Sequence, residues 1–486
     1  MRGRMNSTRA GAMLGTVLGA LLGAGCKEPG APTPITVTGV SPARDWLRGK
    51  AGVTITGTNF LDVTSVTIGG SELVDRTVVS STEITGTAPA STSAGAKDVV
   101  VTSSSHGSGT CSGCFTYLSA LTFAAVSAGG DSCGITTDGR AYCWGPNGWG
   151  GLGNGTITPY AGSTVPVAVA GGLTLQSVSV RRHVCAVATS GAAWCWGLNE
   201  KGQIGDGTIE NQGHPTAVQR GLRFAQVSAG WDLTCGVTVG GAAYCWGWNQ
   251  FGQLGDGTEI DRTSPVAVVG GLGFTEVSAG QYHTCGVTTE GAAYCWGLNN
   301  EGEFGNVGCP LTTTGPCAVS GGLTFNVVSV GVSHHTCGVT TDGAAYCWGL
   351  NTSGQLGIGT AHGSAAPIAV VGGLTFLTVS AGLDFTCGIT TGHKAYCWGD
   401  NYAGELGDST ITGPETCYAG AWIACSTTPI AVAGELTFTM VSAGLGHACG
   451  ITTEGAAYCW GRNDEGELGD GTTTSSSIPV KVTGSR

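Results

Sequence analysis

Cysteine is the residue with the most chemistry available to it in this chain, and its spacing says which chemistry to expect. Of 21 cysteines, fourteen form seven pairs ten residues apart: Cys133 with Cys143, Cys185 with Cys195, Cys235 with Cys245, Cys285 with Cys295, Cys337 with Cys347, Cys387 with Cys397 and Cys449 with Cys459. Six more are close neighbours, Cys111 with Cys114, Cys309 with Cys317 and Cys417 with Cys425, and Cys26 stands alone. Zinc sites favour short Cys-x-x-Cys knuckles used in twos, and only Cys111 and Cys114 have that spacing, so no metal is expected. The even set fits a disulfide framework in an oxidising compartment. Between Cys133 and Cys143 the midpoint is Asp138-Gly139. A three-residue turn with a left-handed glycine there closes a hairpin in which the two cysteines face each other, close enough to bridge.

These hairpins belong to a longer repeat. The first cysteines lie at 133, 185, 235, 285, 337, 387 and 449, a period of 50 to 52 with one step of 62. The two odd pairs, Cys309 with Cys317 and Cys417 with Cys425, fall in altered or inserted loops, the second accounting for the long step. Each repeat reads as a Pro-x-x-Val segment such as Pro265-Val-Ala-Val268, then a strand ending in Val277-Ser-Ala-Gly280, then the Cys hairpin closing on Cys295-Trp296-Gly297. A Gly-rich loop follows, as in Gly252-Gln-Leu-Gly-Asp-Gly-Thr258. Short strands, glycine turns and no helical periodicity at this period predict an all-β, seven-bladed propeller over 119–486. The last Pro-x-x-Val, Pro479–Val482, has no repeat after it, and the first blade starts at Leu121 without one. The expectation is that 479–482 pairs with the first blade and closes the ring.

Residues 35–118 have another texture: β-branched runs such as Val53-Thr-Ile-Thr-Gly-Thr-Asn-Phe60 and Val99-Val-Val-Thr102 between turns, expected as a small β-sandwich. The string resembles the immunoglobulin-like IPT/TIG domain. Val277-Ser-Ala-Gly-Gln-Tyr-His-Thr284 and Tyr294-Cys-Trp-Gly-Leu-Asn299 resemble the regulator of chromosome condensation repeat family over about 119–486. In that resemblance Cys285 and Cys295 stand where an aliphatic and a small residue are usual. It implies a protein-binding platform.

The N-terminal segment 1–26 reads as a signal peptide, with Arg2, Arg4 and Arg9 before a short apolar stretch. It ends in Leu21-Leu22-Gly23-Ala24-Gly25-Cys26, which resembles a bacterial lipobox with Gly23 in place of the usual Leu. Cys26 is therefore the expected lipidation site, and 27–34 a tether. Net charge is −12 without a basic stripe, so nucleic acid is not an expected partner.

Seven tryptophans follow the second cysteines (Trp144, Trp196, Trp246, Trp296, Trp348, Trp398, Trp460), and recurrence in every repeat marks them as packing between blades. His183, His283, His335 and His447 share one repeat position with Asp131, Leu233 and Phe385, which suits hydrogen-bonded packing better than a metal ring. Acidic loops such as Asp206-Gly-Thr208, Asp256-Gly-Thr258 and Asp470-Gly-Thr472 lack a calcium loop's oxygen density and read as turns. No nucleophile elbow, phosphate loop or carboxylate pair stands out, so no enzyme and no cofactor is expected. Residues that break the repeat are the candidate binding surface: Trp149, Arg181, Arg182, Trp231, Trp248, Tyr282, Tyr402, Tyr418 and Trp422. The reading is a monomeric, lipid-anchored, exported scaffold on the cell envelope that binds a protein partner on one propeller face. Polysaccharide binding or processing is the alternative. Guanine-nucleotide exchange, the third, is disfavoured by export.

Overall fold

The computed structural model describes residues 33–486 apart from Arg48, Lys50 and Tyr160. The leader, Cys26 and most of the 27–34 tether lie outside the described residues. The chain divides into two compact units, 1–118 and 119–486. Among the described residues no helix is long and apolar enough to cross a membrane.

In the first unit, alternating β-branched strands form two sheets. One orders Thr36–Ser41, Gly52–Thr58, Glu83–Thr87 and Val74–Ser80; the other Arg44–Trp46, Gly107–Leu118, Gly95–Ser103, Val63–Ile68 and Ser71–Glu72. The inward side chains Val53, Ile55, Val66, Ile84, Val99, Val101 and Phe115 make the core. Cys111 and Cys114 are bonded and bracket a bulge within the strand Gly107–Leu118, where the register jumps between Lys97 and Val99 of its partner.

The second unit is seven sheets, six of four strands and one of five. In the first, Phe123–Ala128, Ser132–Thr136, Ala141–Gly145 and Ser163–Ala168 follow one another from the inner to the outer edge. The expected opposition of cysteines is present in every hairpin: Cys133 faces Cys143, Cys185 faces Cys195, Cys235 faces Cys245 and Cys285 faces Cys295. Cys337 faces Cys347, Cys387 faces Cys397 and Cys449 faces Cys459 in the same way. All seven pairs are bonded, with Cα atoms 4.0–4.1 Å apart. The turn is the three-residue type: Thr136 N donates to Arg140 O and Gly139 has φ +84°. The fifth strand of the sixth sheet, Glu415–Tyr418, makes a hairpin with Trp422–Ala431 that the bond between Cys417 and Cys425 ties together. The bond between Cys309 and Cys317 ties the loop before the outer strand of the fourth sheet.

The expected closure is corrected. Ser476–Lys481 pairs with Ala457–Gly461 of its own blade, Cys459 opposite Val480, so the Pro-x-x-Val strand ends each blade instead of starting the next. Proline explains the phase. It has no N–H for the ladder and belongs on an edge, and Pro166, Pro215, Pro265, Pro316, Pro367, Pro429 and Pro479 all lie in outer strands.

The ring closes instead by repeating one blade-to-blade join a seventh time. In each join the serine of Val-Ser-Ala or Val-Ser-Val accepts a backbone N–H from the next inner strand, as from Val180 to Ser127 at 3.0 Å, and Ala128 donates likewise to Ser442 at 3.0 Å. In six of the seven joins the indole N–H reaches back to a carbonyl of the preceding blade's loop: Trp246 to Gln203 O and, at the closure, Trp144 to Glu467 O, both 2.9 Å. A left-handed glycine of that loop lies against the indole. A Cβ on Gly205 or Gly469 would come within 2.6 or 2.7 Å of Trp246 or Trp144. Leu121 adds a short parallel bridge to Ser485. Because the closing join is built like the others, Trp144→Ala is expected to lower stability by about 3–5 kcal/mol, as much as Trp246→Ala. Thermal melts of both variants test this, and a much smaller loss at Trp144 would mean the ring is not closed through it.

Candidate functional site

The turns between inner and second strands and the loops between third and outer strands emerge on the same face of the ring, and most of the residues that break the repeat are found there. In the inner turns the repeat position of the histidines is used for packing. His183 Nε2 lies 2.6 Å from Thr234 Oγ1, His283 2.9 Å from Thr336, His335 3.1 Å from Thr386 and His447 2.7 Å from Ser132, each in the next blade. Burial pushes these imidazoles down, His183, His283 and His447 to about 3 and His335 to about 4. Phe385 meets Ala448 at the same join, apolar on apolar.

Blade 1 departs from this pattern. Its position holds Asp131, and the next blade offers Val184, which has no hydroxyl. The loop residue that is Gln203, Gln253, Glu303, Gln355, Glu405 or Glu467 in the other blades is Gly151. Those six side chains turn back onto their own loop, as Gln203 Oε1 accepts from Lys201 N at 2.9 Å. A Cβ on Gly151 would overlap Asp131 Oδ2, so the aspartate fills space that a glutamine or glutamate side chain fills elsewhere. Burial pushes Asp131 up to about 7.

The turn of blade 1 is also short, with Gly129-Gly130 before Asp131, and a groove of about 920 Å³ lies across blades 7, 1, 2 and 3. Its rim carries Trp149 and Trp231, and between them the Arg182 guanidinium stands 4.9 Å and 5.1 Å from the two ring centroids. Asp232 holds the same guanidinium at 3.4 Å. Arg181 also lines the groove, but its guanidinium caps the end of the channel, donating to Ala128 O, Val180 O, Ala443 O and Ala381 O at 3.1–3.4 Å. Expected as a surface contact, it is engaged by main-chain carbonyls instead.

Trp248 and Tyr282 form a second cluster with Phe251, ring centroids 5.5–5.8 Å apart, and Tyr282 stacks on His334 at 4.9 Å. Tyr418 and Trp422 are elsewhere, at the tip of the blade 6 hairpin, 59% and 74% exposed with rings 5.3 Å apart. Tyr402 is 78% exposed and is also outside the groove lining. Phe251, His334, Gly151 and the role of Asp131 escape the sequence reading. The legible signals were the seven-residue step from Val126 to Cys133, shared with Val178 to Cys185 and one shorter than Val277 to Cys285, and the single glycine in a column of Gln and Glu. The acidic loops bond to themselves, Asp206 Oδ1 accepting from Thr208 N at 2.9 Å and from its hydroxyl at 2.8 Å.

Burial raises Glu276 to about 7, Glu405 to about 8 and Asp400 to about 6 as well. Carboxyls raised in the fold contribute stability below their unfolded values that is lost as pH climbs through 6 to 8. The lowered histidines contribute stability above their unfolded value that is lost as pH falls toward 3. The two sets oppose each other at intermediate pH, and only carboxyls titrate above it. The melting temperature is therefore expected to peak between about pH 4.5 and 6.5 and to decline by about pH 8.5. Asp131→Asn should flatten part of that alkaline decline, and melts across pH that rise steadily to alkaline values would contradict the assignment.

Comparison with known proteins gives two family matches: the RCC1-like domain, matched over 106–418 and 182–486, and the IPT/TIG domain, over 34–118. Among solved structures the chain is similar to yeast RCC1 (Prp20) bound to Kap60, at 20% identity and TM-score 0.63, covering 70% of this chain and 83% of that one. It is similar to Prp20p from Saccharomyces cerevisiae, described with its binding properties to Gsp1p and histones, at 20% identity and TM-score 0.63 over 72% and 87%. Human WBSCR16 matches at 21% identity and TM-score 0.61 over 71% and 94%. At these identities the likeness is one of fold.

Proposed function

The chain belongs to the RCC1-like domain family, and from that premise we propose that it is an exported, lipid-anchored scaffold that binds a protein partner through the aromatic sector of one propeller face. The observation that carries this reading is the Trp149–Arg182–Trp231 stack at the rim of an open groove. Tryptophan and arginine are the residues in which binding energy concentrates, and a pre-stacked guanidinium has little side-chain entropy left to lose. The Trp248–Phe251–Tyr282–His334 cluster adds a second apolar contact on the same face. Ten disulfides support an oxidising compartment, which also leaves exchange on a cytoplasmic GTPase outside the proposal. Yeast RCC1 (Prp20), whose fold this chain shares, is described bound to Kap60.

A second reading, glycan binding, rests on Tyr418 and Trp422, an exposed aromatic pair on a disulfide-tied hairpin. The two readings separate by mutation. Capture from native envelope extracts should lose its enriched protein by roughly 30-fold, about 2 kcal/mol, in the double variant Trp149→Ala with Trp231→Ala. Trp422→Ala should leave that capture unchanged. Loss at Trp422 alone, together with signal on a glycan array, would favour the second reading. Cys26→Ser should move the protein from the membrane fraction to the soluble fraction, and retention on membranes would remove the lipid anchor.

A further inference from the structure

Two buried polar atoms on residues that line the groove have no hydrogen-bond partner, Asp131 Oδ2 and Arg181 Nε, and the first is an acceptor. Asp131 Oδ2 is sealed from bulk solvent without a hydrogen-bond partner, on a residue only 5% exposed. Asp131 nevertheless lines the groove. Leaving a buried carboxylate without a donor is costly, and it is relieved by taking up a proton or by a cation or strong N–H donor brought to it. The three arginines of the lining are already committed. Arg181 donates to main-chain carbonyls through both terminal nitrogens, its buried Nε alone being left without an acceptor; Arg182 is held by Asp232 and the two indoles, and Arg462 pairs with Asp464 at 2.7 Å. Glu465 and Glu467 line the same groove, and burial also raises Glu467. The lining is therefore short of positive charge at its buried end.

We propose that the groove receives a lysine or arginine side chain presented by an extended segment of a partner protein, with Asp131 as the carboxylate that accepts it. This deepens the scaffold reading and rests on it. Three features favour a side chain on a peptide over a free amine. A volume of about 920 Å³ is much larger than one alkylammonium ion needs. The rim is aromatic, suited to flanking apolar residues, with Trp149 44% exposed. The lining extends over four neighbouring blades in a cavity that is not enclosed, a shape that suits an extended segment better than a single small ion. The blade 1 changes serve the same end. Gly129, Gly130 and Gly151 remove bulk at the lips, while Asp131 puts charge where the sister blades put a self-bonded side chain.

The test uses the oxidised full-length protein and three peptides, Gly-Gly-X-Gly-Gly with arginine, lysine or norleucine at X, followed by calorimetry and by fluorescence of the rim tryptophans. The arginine and lysine peptides are expected to bind at least tenfold more tightly than the norleucine peptide. Asp131→Asn should erase that difference, while Asp138→Asn, on the opposite face, should keep it. Equal binding of the three peptides, or selectivity that survives Asp131→Asn, would overturn the proposal. Competition by n-butylammonium at the same concentration as the arginine peptide would overturn its peptide part. If Asp131→Asn fails to fold, a wild-type complex decides: the peptide's side-chain nitrogen within hydrogen-bonding distance of Asp131 supports the proposal, and placement elsewhere refutes it. Absence of cation selectivity, with partner capture still lost in the rim variant, would refute this inference alone. Selectivity without any captured partner would refute the scaffold reading.

Discussion

Everything in the propeller depends on one join between neighbouring blades. An indole covers a glycine of the preceding loop and in six joins donates to that loop's carbonyl, a serine hydroxyl takes an inner-strand N–H, and a histidine meets a hydroxyl where both are present. Each blade alone is a sheet of four strands, or five in blade 6, with two apolar faces, and stacking against two neighbours is what buries them. The join needs no covalent link or shared strand, so the last blade can meet the first on the same terms. The hairpin disulfides act within blades. At ten residues' separation each contributes about 2–3 kcal/mol by limiting the unfolded chain, without tying one blade to the next.

A ring made by repetition leaves its useful features where repetition fails. Six blades fold a glutamine or glutamate back onto their own loop, and blade 1 trades that residue for Gly151 and an aspartate from the inner turn. The exchange opens a groove and leaves a carboxylate unsatisfied, while the adjacent inner turn uses Arg181 to cap the channel and stacks Arg182 between two tryptophans. Such locally unfavourable arrangements persist because six well-packed joins hold the rest of the ring.

The groove was half visible in the amino-acid string. Trp149, Arg182 and Trp231 stood out as departures from the repeat, and all three meet at one rim. Arg181 stood out equally and has a different task, because whether a side chain leaves the ring or turns into the channel depends on the turn's backbone path. Tyr402, Tyr418 and Trp422 stood out too, yet they sit on another blade's loops. His334 and Phe251 were passed over because each is unremarkable alone and gains meaning only by stacking on Tyr282.

Local chemistry was enough for the repeat count, the opposed cysteines, the left-handed turn glycine and the burial of the tryptophans, since each follows from spacing within one hairpin or from recurrence. The phase of the blades was readable as well, through the prolines that exclude themselves from inner ladders, though the string invites the opposite reading when only its first and last repeats are compared. The closure, the unsatisfied Asp131 and the gathering of blades 7, 1, 2 and 3 around one groove were decided by tertiary structure alone. They join residues more than three hundred positions apart, such as Ser132 with His447. Nothing in a local pattern specifies which side chains a closing ring will bring face to face.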